Sequence, residues 1–353
     1  MEKNHGPKSG GLWKKTVLIT ICVVLSVILV ISVAAVGIMS HMLGKINRAD
    51  EDDHYTISQD EALKMEQEQL QEEAGGQTPE AETSPQVEEE NIVWEDDPEQ
   101  IVGDSDHLIN ILLIGQDRRP GEGRTRSDAM ILCTVNKETK TLTLTSFLRD
   151  LYVQIPGYQD TRLNAAYAYG GMPLLDEALS VNFGVHVDAN VEVDFTGFQS
   201  VIDALGGVGI WLTESEANYL NTGSPEWGLV AGTNWLSGEQ ALAYSRIRYL
   251  DSDFGRTNRQ RTVLVSLVES VRGASLSHLL DLVNTVLPMI TTDMSDTEII
   301  GYAMELFPLL QDLEIVTQHV PVDDGYQSVT IRGMQVLLPD LTVNRQMLQD
   351  TLS

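Results

Sequence analysis

Hydrophobic and polar positions divide the chain into three regions, and the first contains an uninterrupted apolar run. Residues 16–39 carry no charged side chain and are almost wholly apolar. Such a run is long enough to cross a hydrocarbon core of about 30 Å as a helix. Lysines precede the run and acidic residues follow it. The positive-inside rule therefore predicts a cytoplasmic tail at 1–15 and an extracytoplasmic remainder.

This run is predicted to be an uncleaved, single-pass membrane anchor. A cleavable signal peptide is the competing interpretation, because Ala34 and Ala35 resemble a cleavage site. The run is longer than the apolar part of a signal peptide, which usually has about 7–15 residues. The length of the run therefore favours an uncleaved membrane anchor over a signal peptide.

The second region, residues 40–106, is polar and strongly acidic. Between Asp50 and Glu99, nineteen Asp or Glu residues stand against a single lysine, Lys64, a net −18 of the chain's formal charge of −29. Apolar periodicity is weak here, although Asp60–Glu73 has helical potential. This composition is typical of an extended or disordered stalk that charge repulsion keeps open. We interpret it as a spacer between the membrane and a folded domain at 107–353.

The third region predicts an α/β domain with a mixed central sheet flanked by helices. Leu108–Ile114 is a near-continuous apolar run, as expected for a strand buried on both faces. Helical and strand periods alternate after it, which is the pattern of an α/β fold. Further strands are predicted at 129–135, 141–147, 190–194 and 208–212. Helices are predicted at 162–171, 172–183, 195–205, 237–244, 275–287, 295–310 and 341–352.

Three features of this region are less regular. Residues 214–236 contain several glycines and one proline and are predicted to be loop-rich. Glu314–Pro321 and Ser328–Val336 are expected to pair with each other as strands. The many Leu, Val and Met residues of the later helices are either core or, in part, the lining of a channel for a lipid chain, and their pattern does not decide between the two.

Charged residues follow the ends of the first predicted strands. If these strands form an antiparallel meander, then Asp117, Asp128 and Arg149 gather along one edge of the sheet. Two carboxylates beside an arginine would suit a Mg²⁺ ion that bridges to a phosphate. For each aspartate taken singly, the simpler explanation is that it caps a turn or the start of a strand.

A short cationic run stands out against the acidic chain. Tyr244–Arg261 contains five arginines, in a protein with 23 Lys and Arg against 52 Asp and Glu. After Gly255 the run is predicted to enter a helix, on which Arg256 and Gln260 share the inward face. The helix dipole disfavours a cation in the first turn, so these side chains need a negative partner. Phosphate is one such partner.

The alternative for this run is a cluster of salt bridges with Asp251 and Asp253, and helical spacing alone does not choose between the two. The same spacing turns Arg259 and Arg261 away from the inward face. Both are therefore expected to be solvated.

Composition excludes some classes of function. A net charge of −29 argues against a nucleic-acid-binding protein, which needs a basic surface. The two cysteines, Cys22 and Cys133, lie in an apolar run and in a predicted strand. They predict neither a disulfide framework nor a thiolate metal site.

Short motifs occur in a fixed order between about 110 and 273. They are Asn110–Arg118, Arg126–Asp128, Ser146–Asp150, Arg162–Gly171, Val193–Phe198, Asp203–Val208, Arg246–Arg248, Asp251, Asp253, Gly255–Arg256 and Arg259–Gln260. In this order they resemble the LytR–CpsA–Psr proteins of Gram-positive bacteria. The resemblance implies an α/β domain that binds a polyprenyl-pyrophosphate lipid and transfers its glycopolymer to peptidoglycan as a phosphodiester.

The resemblance also implies roles for individual residues. Asp117 and Asp128 would hold Mg²⁺. The pyrophosphate would be bound by Arg149, Arg246, Arg248, Arg256, Gln260 and Arg162. Arg162 departs from the family, which often has lysine there, and guanidinium and ammonium groups differ in geometry. Leu148 also departs from the family, which commonly has proline there.

The catalytic residues are predicted to be Asp117, Arg149, Asp150 and Asp253. Phosphoryl transfer needs in-line positioning and charge neutralisation more than covalent chemistry, and arginines with a metal ion supply both. The general base is left open among the three aspartates. Two other functions are also open: hydrolysis of the same pyrophosphate, and non-catalytic lipid binding by a regulatory protein.

Overall fold

A seven-stranded mixed sheet forms the centre of the fold. The computed structural model describes residues 41–49, 55–75, 84–95, 98, 101–116, 124–273 and 275–352. The predicted membrane anchor and Asp117 lie outside the described residues. Within those ranges, no helix has both the length and the apolar character needed to span a bilayer. The chain divides into two units, Met1–Lys45 and Ile46–Ser353, and the sheet belongs to the second.

The strands alternate with helices along the chain, as predicted for an α/β fold. The strands are β1 (Asn47–Arg48), β2 (Leu108–Gln116), β3 (Ser127–Asn136), β4 (Thr141–Phe147), β5 (Tyr152–Val153), β6 (Thr161–Arg162), β7 (Ala189–Asp194), β8 (Val208–Leu212), β9 (Gly232–Leu236), β10 (Ile290–Thr292), β11 (Glu314–Val320), β12 (Tyr326–Ile331) and β13 (Met334–Pro339). The helices are α1 (Gln59–Gly75), α2 (Asn164–Phe183), α3 (Phe195–Ala204), α4 (Glu214–Gly223), α5 (Gly238–Ser245), α6 (Asp253–Arg272), α7 (Leu276–Val286), α8 (Asp296–Leu306) and α9 (Leu341–Leu352).

The central sheet has the order β1-β10-β7-β2-β3-β4-β11, and β5-β6, β8-β9 and β12-β13 form separate two-stranded sheets. Strands β2, β3 and β4 form the predicted antiparallel meander, with Leu112 opposite Leu132 and Cys133 opposite Leu144. One face of this meander packs against α2 and α9, and the other packs against α6 and α8. Burial on both faces explains why β2 reads as a continuous apolar run.

Local signals in the sequence account for several helix boundaries. Helix α2 is interrupted at Gly171, whose φ of 68° and ψ of −155° are not helical, so the two predicted helices meet at this glycine. Ser237 caps α5: its side chain accepts a hydrogen bond from the backbone of Gln240, whose own side chain accepts one from Ser237. This reciprocal pair is a capping box.

Two predicted arrangements are wrong. Residues 214–236 are not loop-rich, because they form α4, which begins with a capping box between Thr213 and Glu216, and β9, which pairs with β8. The glycines here lie at the ends of helix α4 and strand β9 or between them, and they do not prevent either element from forming. Glu314–Pro321 does not pair with Ser328–Val336, because β11 runs parallel to β4 instead.

The second of these segments folds back on itself. Arg332 and Gly333 both have positive φ, of 50° and 81°, and two such residues make the tight turn that suits a hairpin. Strands β12 and β13 pair across this turn.

The acidic segment is also ordered where α1 lies, so the expectation of a disordered stalk is wrong for Gln59–Gly75. Ala62 packs into the main core and Glu66 is buried. A carboxylate oxygen of Glu66 lies 3.2 Å from a guanidinium nitrogen of Arg332. Apolar periodicity is weak because glutamates make much of the helix's contact with the domain.

A buried carboxylate away from the sheet edge predicts a pH-dependent stability. Asp176 accepts a hydrogen bond from the Asn190 amide at 2.8 Å, and that amide also donates to Asp293 at 2.8 Å. Burial raises the pKa of Asp176 to about 7. Since this value is above the pKa in the unfolded chain, the folded state binds the extra proton, and its stability is lost as the pH rises through about 7.

We expect Asp176→Asn to remove this component of the pH dependence. The free energy of unfolding of the wild type, measured by urea denaturation from pH 4 to 8, should fall relative to the variant by at most about 1.4 kcal/mol per pH unit. Asp324→Asn, at an exposed position, controls for the removal of a charge. A constant difference between Asp176→Asn and the wild type over this range contradicts the prediction.

Candidate functional site

The edge of the meander brings charged residues together around Arg149. Its guanidinium donates to Asp128 at 2.9 Å and lies 3.5 Å from Asp150 and 3.8 Å from Asp253. Asp128 is near the start of β3 and Arg149 follows β4, so the antiparallel register places them side by side. The predicted juxtaposition of Asp128 and Arg149 is confirmed. Arg149 thus lies at the centre of three carboxylates.

The burial of this cluster shifts its pKa values. Burial lowers the pKa of Arg149, but the carboxylates of Asp150, Asp253 and Asp128 outweigh it and hold the pKa above its usual value. Burial also raises the pKa of Asp253, and the nearby cations of Arg256 and Arg149 only reduce this shift. The cluster therefore holds a firmly charged arginine beside a carboxylate that protonates more readily than usual.

The turn between α5 and α6 supplies two further arginines. The Arg246 guanidinium lies 4.4 Å from the centre of the Phe195 ring, a distance at which a cation interacts favourably with an aromatic face. The Arg248 guanidinium is half exposed and lies 3.6 Å from Asp128. The turn thus places both cations close to the sheet edge.

Arg259 holds this turn in place, and the expectation that it is solvated is wrong. It is 4 % exposed. It donates to the Ile247 carbonyl at 3.2 Å, to Glu216 at 2.7 Å and to both carboxylate oxygens of Asp251 at 3.0 and 2.5 Å. The salt-bridge interpretation of the arginine run is therefore correct for Arg259. Helical spacing missed this role because Glu216 lies on α4, far away in the sequence.

Arg256 differs, because only part of its guanidinium is satisfied. Helix α6 begins at Asp253, three residues before the predicted start, so this carboxylate lies in the first turn and accepts from Arg256 at 2.9 Å. The side chain of Arg256 is 2 % exposed, and its Nε and Nη1 have no hydrogen-bond partner. Burial, with the neighbouring cations of Arg149 and Arg248, lowers the pKa of Arg256 to about 10.

Gln260 lies one turn after Arg256, and its Oε1 is also buried without a partner. The two side chains line the same cavity, so the predicted inward face of the helix is confirmed. Glycine at position 255 leaves room for the Asp251 carboxylate, which a Cβ atom would approach to 2.2 Å. The start of α6 can therefore pack closely against the turn before it.

An apolar cavity extends from these cations between the sheet and helices α3, α5 and α6. Its charged end carries Asp128, Arg246, Arg248 and Arg256. The rest of its wall is mainly aliphatic and aromatic: Leu113, Ile114, Ile131, Val191, Val193, Phe195, Phe198, Leu242 and Leu264. Among the residues that the structure describes, none of the wall comes from the later helices whose pattern also allowed a lipid channel. The arrangement suits a molecule with an anionic head and a long apolar tail.

Arg162 lies at the far side of the charged cluster. Its guanidinium lies 3.5 Å from Asp150, and it donates to both oxygens of Glu73 at 2.5 and 3.1 Å. Glu73 belongs to α1, so the acidic segment reaches the charged network. The role of Glu73 was not predicted from the sequence, where its only local signal is a helical stretch rich in glutamate.

Of the two aspartates predicted to hold a metal ion, Asp117 and Asp128, the structure describes Asp128. The Asp128 side chain is 32 % exposed, and one of its oxygens accepts from Arg149. In the part of the chain that the structure describes, no group of three or more His, Cys, Asp or Glu residues could hold a metal ion. Mg²⁺ is often held by one or two carboxylates, with water and substrate phosphates completing its shell. Asp128 fits such a partial set.

Comparisons with known proteins identify the family. The LytR_cpsA_psr family matches residues 60–350. "Regulatory protein MsrR" of Staphylococcus aureus (strain COL) is 30 % identical over 251 residues, which cover 70 % of this chain and 75 % of the relative. "Polyisoprenyl-teichoic acid--peptidoglycan teichoic acid transferase TagT" of Bacillus subtilis (strain 168) is 34 % identical over 215 residues, 59 % of this chain and 66 % of the relative.

A solved structure also matches the fold. It is the "LytR-CPS2A-psr family protein YwtF (TagT) with bound octaprenyl pyrophosphate lipid". The TM-score is 0.54 at 26 % sequence identity, over 74 % of this chain and 99 % of the other. Octaprenyl pyrophosphate, the lipid bound in that protein, has an anionic head and an apolar tail.

Proposed function

The chain belongs to the LytR–CpsA–Psr family, and we propose that it transfers a glycopolymer from a polyprenyl-pyrophosphate carrier to peptidoglycan through a phosphodiester bond. The relatives TagT and TagU carry names for this reaction with teichoic acid. The proposed enzyme is therefore a phosphotransferase of cell-wall assembly.

One observation carries the proposal: an apolar cavity ends at a buried arginine that is only partly satisfied. Arg256 keeps two nitrogens without partners at the charged end of the cavity. A buried cation with unsatisfied donors is costly, and a phosphate oxygen would satisfy them. The prenyl chain would lie along the apolar wall, and the pyrophosphate would lie among Arg149, Arg246, Arg248, Arg256 and Gln260.

The reaction follows from this placement. A hydroxyl of the peptidoglycan strand attacks the sugar-proximal phosphorus, a new P–O bond forms, and the P–O bond to the lipid phosphate breaks. The prenyl phosphate leaves with the electron pair and its negative charge, which the arginines stabilise. The hydroxyl proton passes to a carboxylate. Asp150 and Asp253 are the described candidates. Burial raises the pKa of Asp253, which brings it closer to the value a base needs.

A magnesium ion is part of the proposal. Asp128, with Asp117 beyond the described residues, would hold it, and the bound ion would offset the negative charge of the pyrophosphate. The arginines perform the remaining neutralisation. A membrane anchor at 16–39 would restrict the enzyme to the surface that holds its lipid substrate, with the cytoplasmic tail at 1–15 and the catalytic domain outside.

The proposal is tested by incubating the full chain with a prenyl-pyrophosphate-linked saccharide and soluble peptidoglycan fragments. We expect a fragment that carries the saccharide through a phosphodiester, together with one equivalent of prenyl phosphate, both identified by mass spectrometry. Saccharide phosphate with no adduct would identify a hydrolase and refute the transferase. Bound lipid with no turnover would instead support a non-catalytic regulator.

A further inference from the structure

A second cleft lies on another face of α6. It is formed by Asn258, Arg261, Thr262, Val265, Ser266 and Glu269 of the helix, with Gly209 of β8 and Thr317 of β11. Arg261 follows Arg256 by five residues, which places it about 7.5 Å along the helix and about 140° around it. The cleft therefore faces away from the apolar cavity that takes the lipid.

Arg261 forms the base of this cleft, and the expectation that it is solvated is wrong. The residue is 4 % exposed. Its Nε and Nη1 are buried without hydrogen-bond partners, and its Nη2 makes only a long bond of 3.4 Å to Asn258. Burial alone lowers the pKa of Arg261 to about 10, and no charged group of the described residues adds to the shift. Arg261 is a buried cation that has no counter-ion among the described residues.

The other groups of the cleft leave room for an anion. The one carboxylate on the rim, that of Glu269, accepts from Arg272 at 2.6 Å. The hydroxyls of Thr262 and Ser266 donate to backbone carbonyls of Asn258 and Gly209. Thr317 and Asn258 are exposed at the rim, where they can hydrogen bond to a sugar or a peptide.

An unpaired buried charge is strongly destabilising. The position of Arg261 at the base of an open cleft therefore indicates that a ligand supplies its counter-ion. The planar guanidinium fork matches a carboxylate through two parallel hydrogen bonds. A single arginine with a glutamate on the rim favours a group with one negative charge over a phosphate dianion. The pyrophosphate of the donor already has its own arginines on the other face of the helix.

We propose that this cleft binds a carboxylate of the acceptor glycan, from the lactyl or peptide groups that peptidoglycan carries. The proposal rests on the proposed function, since it names the acceptor of the same reaction. Arg261 would act as a positioning residue that anchors the acceptor strand on a face of α6 about 140° around the helix from Arg256.

The test is a calorimetric titration of a soluble peptidoglycan fragment with free carboxylates into the full chain, which needs no turnover. We expect Arg261→Met to raise the Kd of the fragment by about 10- to 100-fold, the usual range for a hydrogen bond to a charged group. Arg261→Lys should give an intermediate Kd, because lysine keeps the charge but not the fork. Arg345→Met, an arginine on α9 that bonds to the Asn182 carbonyl, should leave the Kd unchanged.

Two further measurements test the role of the carboxylate and the stability of the variant. A fragment whose carboxylates are amidated should bind to the wild type as weakly as the fragment with free carboxylates binds to Arg261→Met. Because Arg261→Met removes an unpaired buried charge, its Tm should equal or exceed that of the wild type, so a loss of binding cannot be attributed to unfolding.

An unchanged Kd in Arg261→Met, equal binding of the amidated fragment, or a lower Tm would overturn the proposal. Stronger competition by inorganic phosphate than by acetate would overturn the assignment to a carboxylate. Failure of the proposed function is distinct from these results, since it would appear as binding of the fragment without transfer.

Discussion

Arg256→Ala is expected to lower kcat for glycan transfer by about 10²- to 10³-fold, the usual cost of removing one preorganised donor to a developing negative charge. The guanidinium is 2 % exposed and has two nitrogens without partners at the charged end of the cavity. Hydrogen bonds in such a dry site are stronger than in water. The measurement is kcat and KM for transfer from the prenyl-pyrophosphate donor by the full chain.

Two variants separate this effect from loss of structure. Arg256→Lys keeps the charge but not the fork, so it should recover only part of the rate. Arg345→Ala removes an arginine that is also largely buried but lies at α9, and it should keep the wild-type kcat. A folded Arg256→Ala with activity within about twofold of the wild type, well short of the expected loss, would exclude Arg256 from the reaction.

Arg149→Ala is expected to weaken binding of the prenyl pyrophosphate by about 2–5 kcal/mol, or roughly 30-fold and more in Kd. Arg149 contacts Asp128, Asp150 and Asp253. Without it, three carboxylates face the incoming phosphates with less positive charge between them. The measurement is a titration of the lipid, in detergent, into the full chain.

The same cluster offers an internal control for charge repulsion. Asp253→Asn should restore part of the affinity lost in Arg149→Ala, because it removes one of the carboxylates that Arg149 neutralises. The loss should also be smaller at low pH, since Arg149 lowers the pKa of Asp253 in the wild type and its removal lets the carboxyl protonate more readily. An equal loss at every pH, with no recovery in the double variant, would mean that Arg149 acts by packing alone.

The sheet edge was predictable because it follows from topology. Three apolar runs separated by polar segments form a meander, and an antiparallel register places Asp128 beside Arg149. The position of Arg256 and Gln260 on the inward face followed from the helical period. These predictions needed only residues close together in the sequence.

The predictions that failed depend on partners far away in the sequence. Helical spacing assigns one buried face to a helix, whereas α6 contacts other elements on several sides. Arg259 bonds to Glu216 of α4, and Arg261 lies in a cleft that Thr317 of β11 also lines. Strand β11 pairs with β4 across about 170 residues, as in Gln318 opposite Thr145, and no local pattern reports that contact. Helix α1 is held partly by ion pairs of Glu66 and Glu73 with distant arginines, which hydrophobic periodicity cannot detect.

The central claim is that the arginine-lined end of the apolar cavity binds the pyrophosphate of a prenyl carrier. A crystal structure of the full chain with a prenyl pyrophosphate tests it most directly. We predict phosphate oxygens within hydrogen-bond distance of the free nitrogens of Arg256, and a prenyl chain between Phe198 of α3 and Val193 of the sheet. A lipid bound elsewhere, with those nitrogens of Arg256 still unpartnered, would contradict the claim.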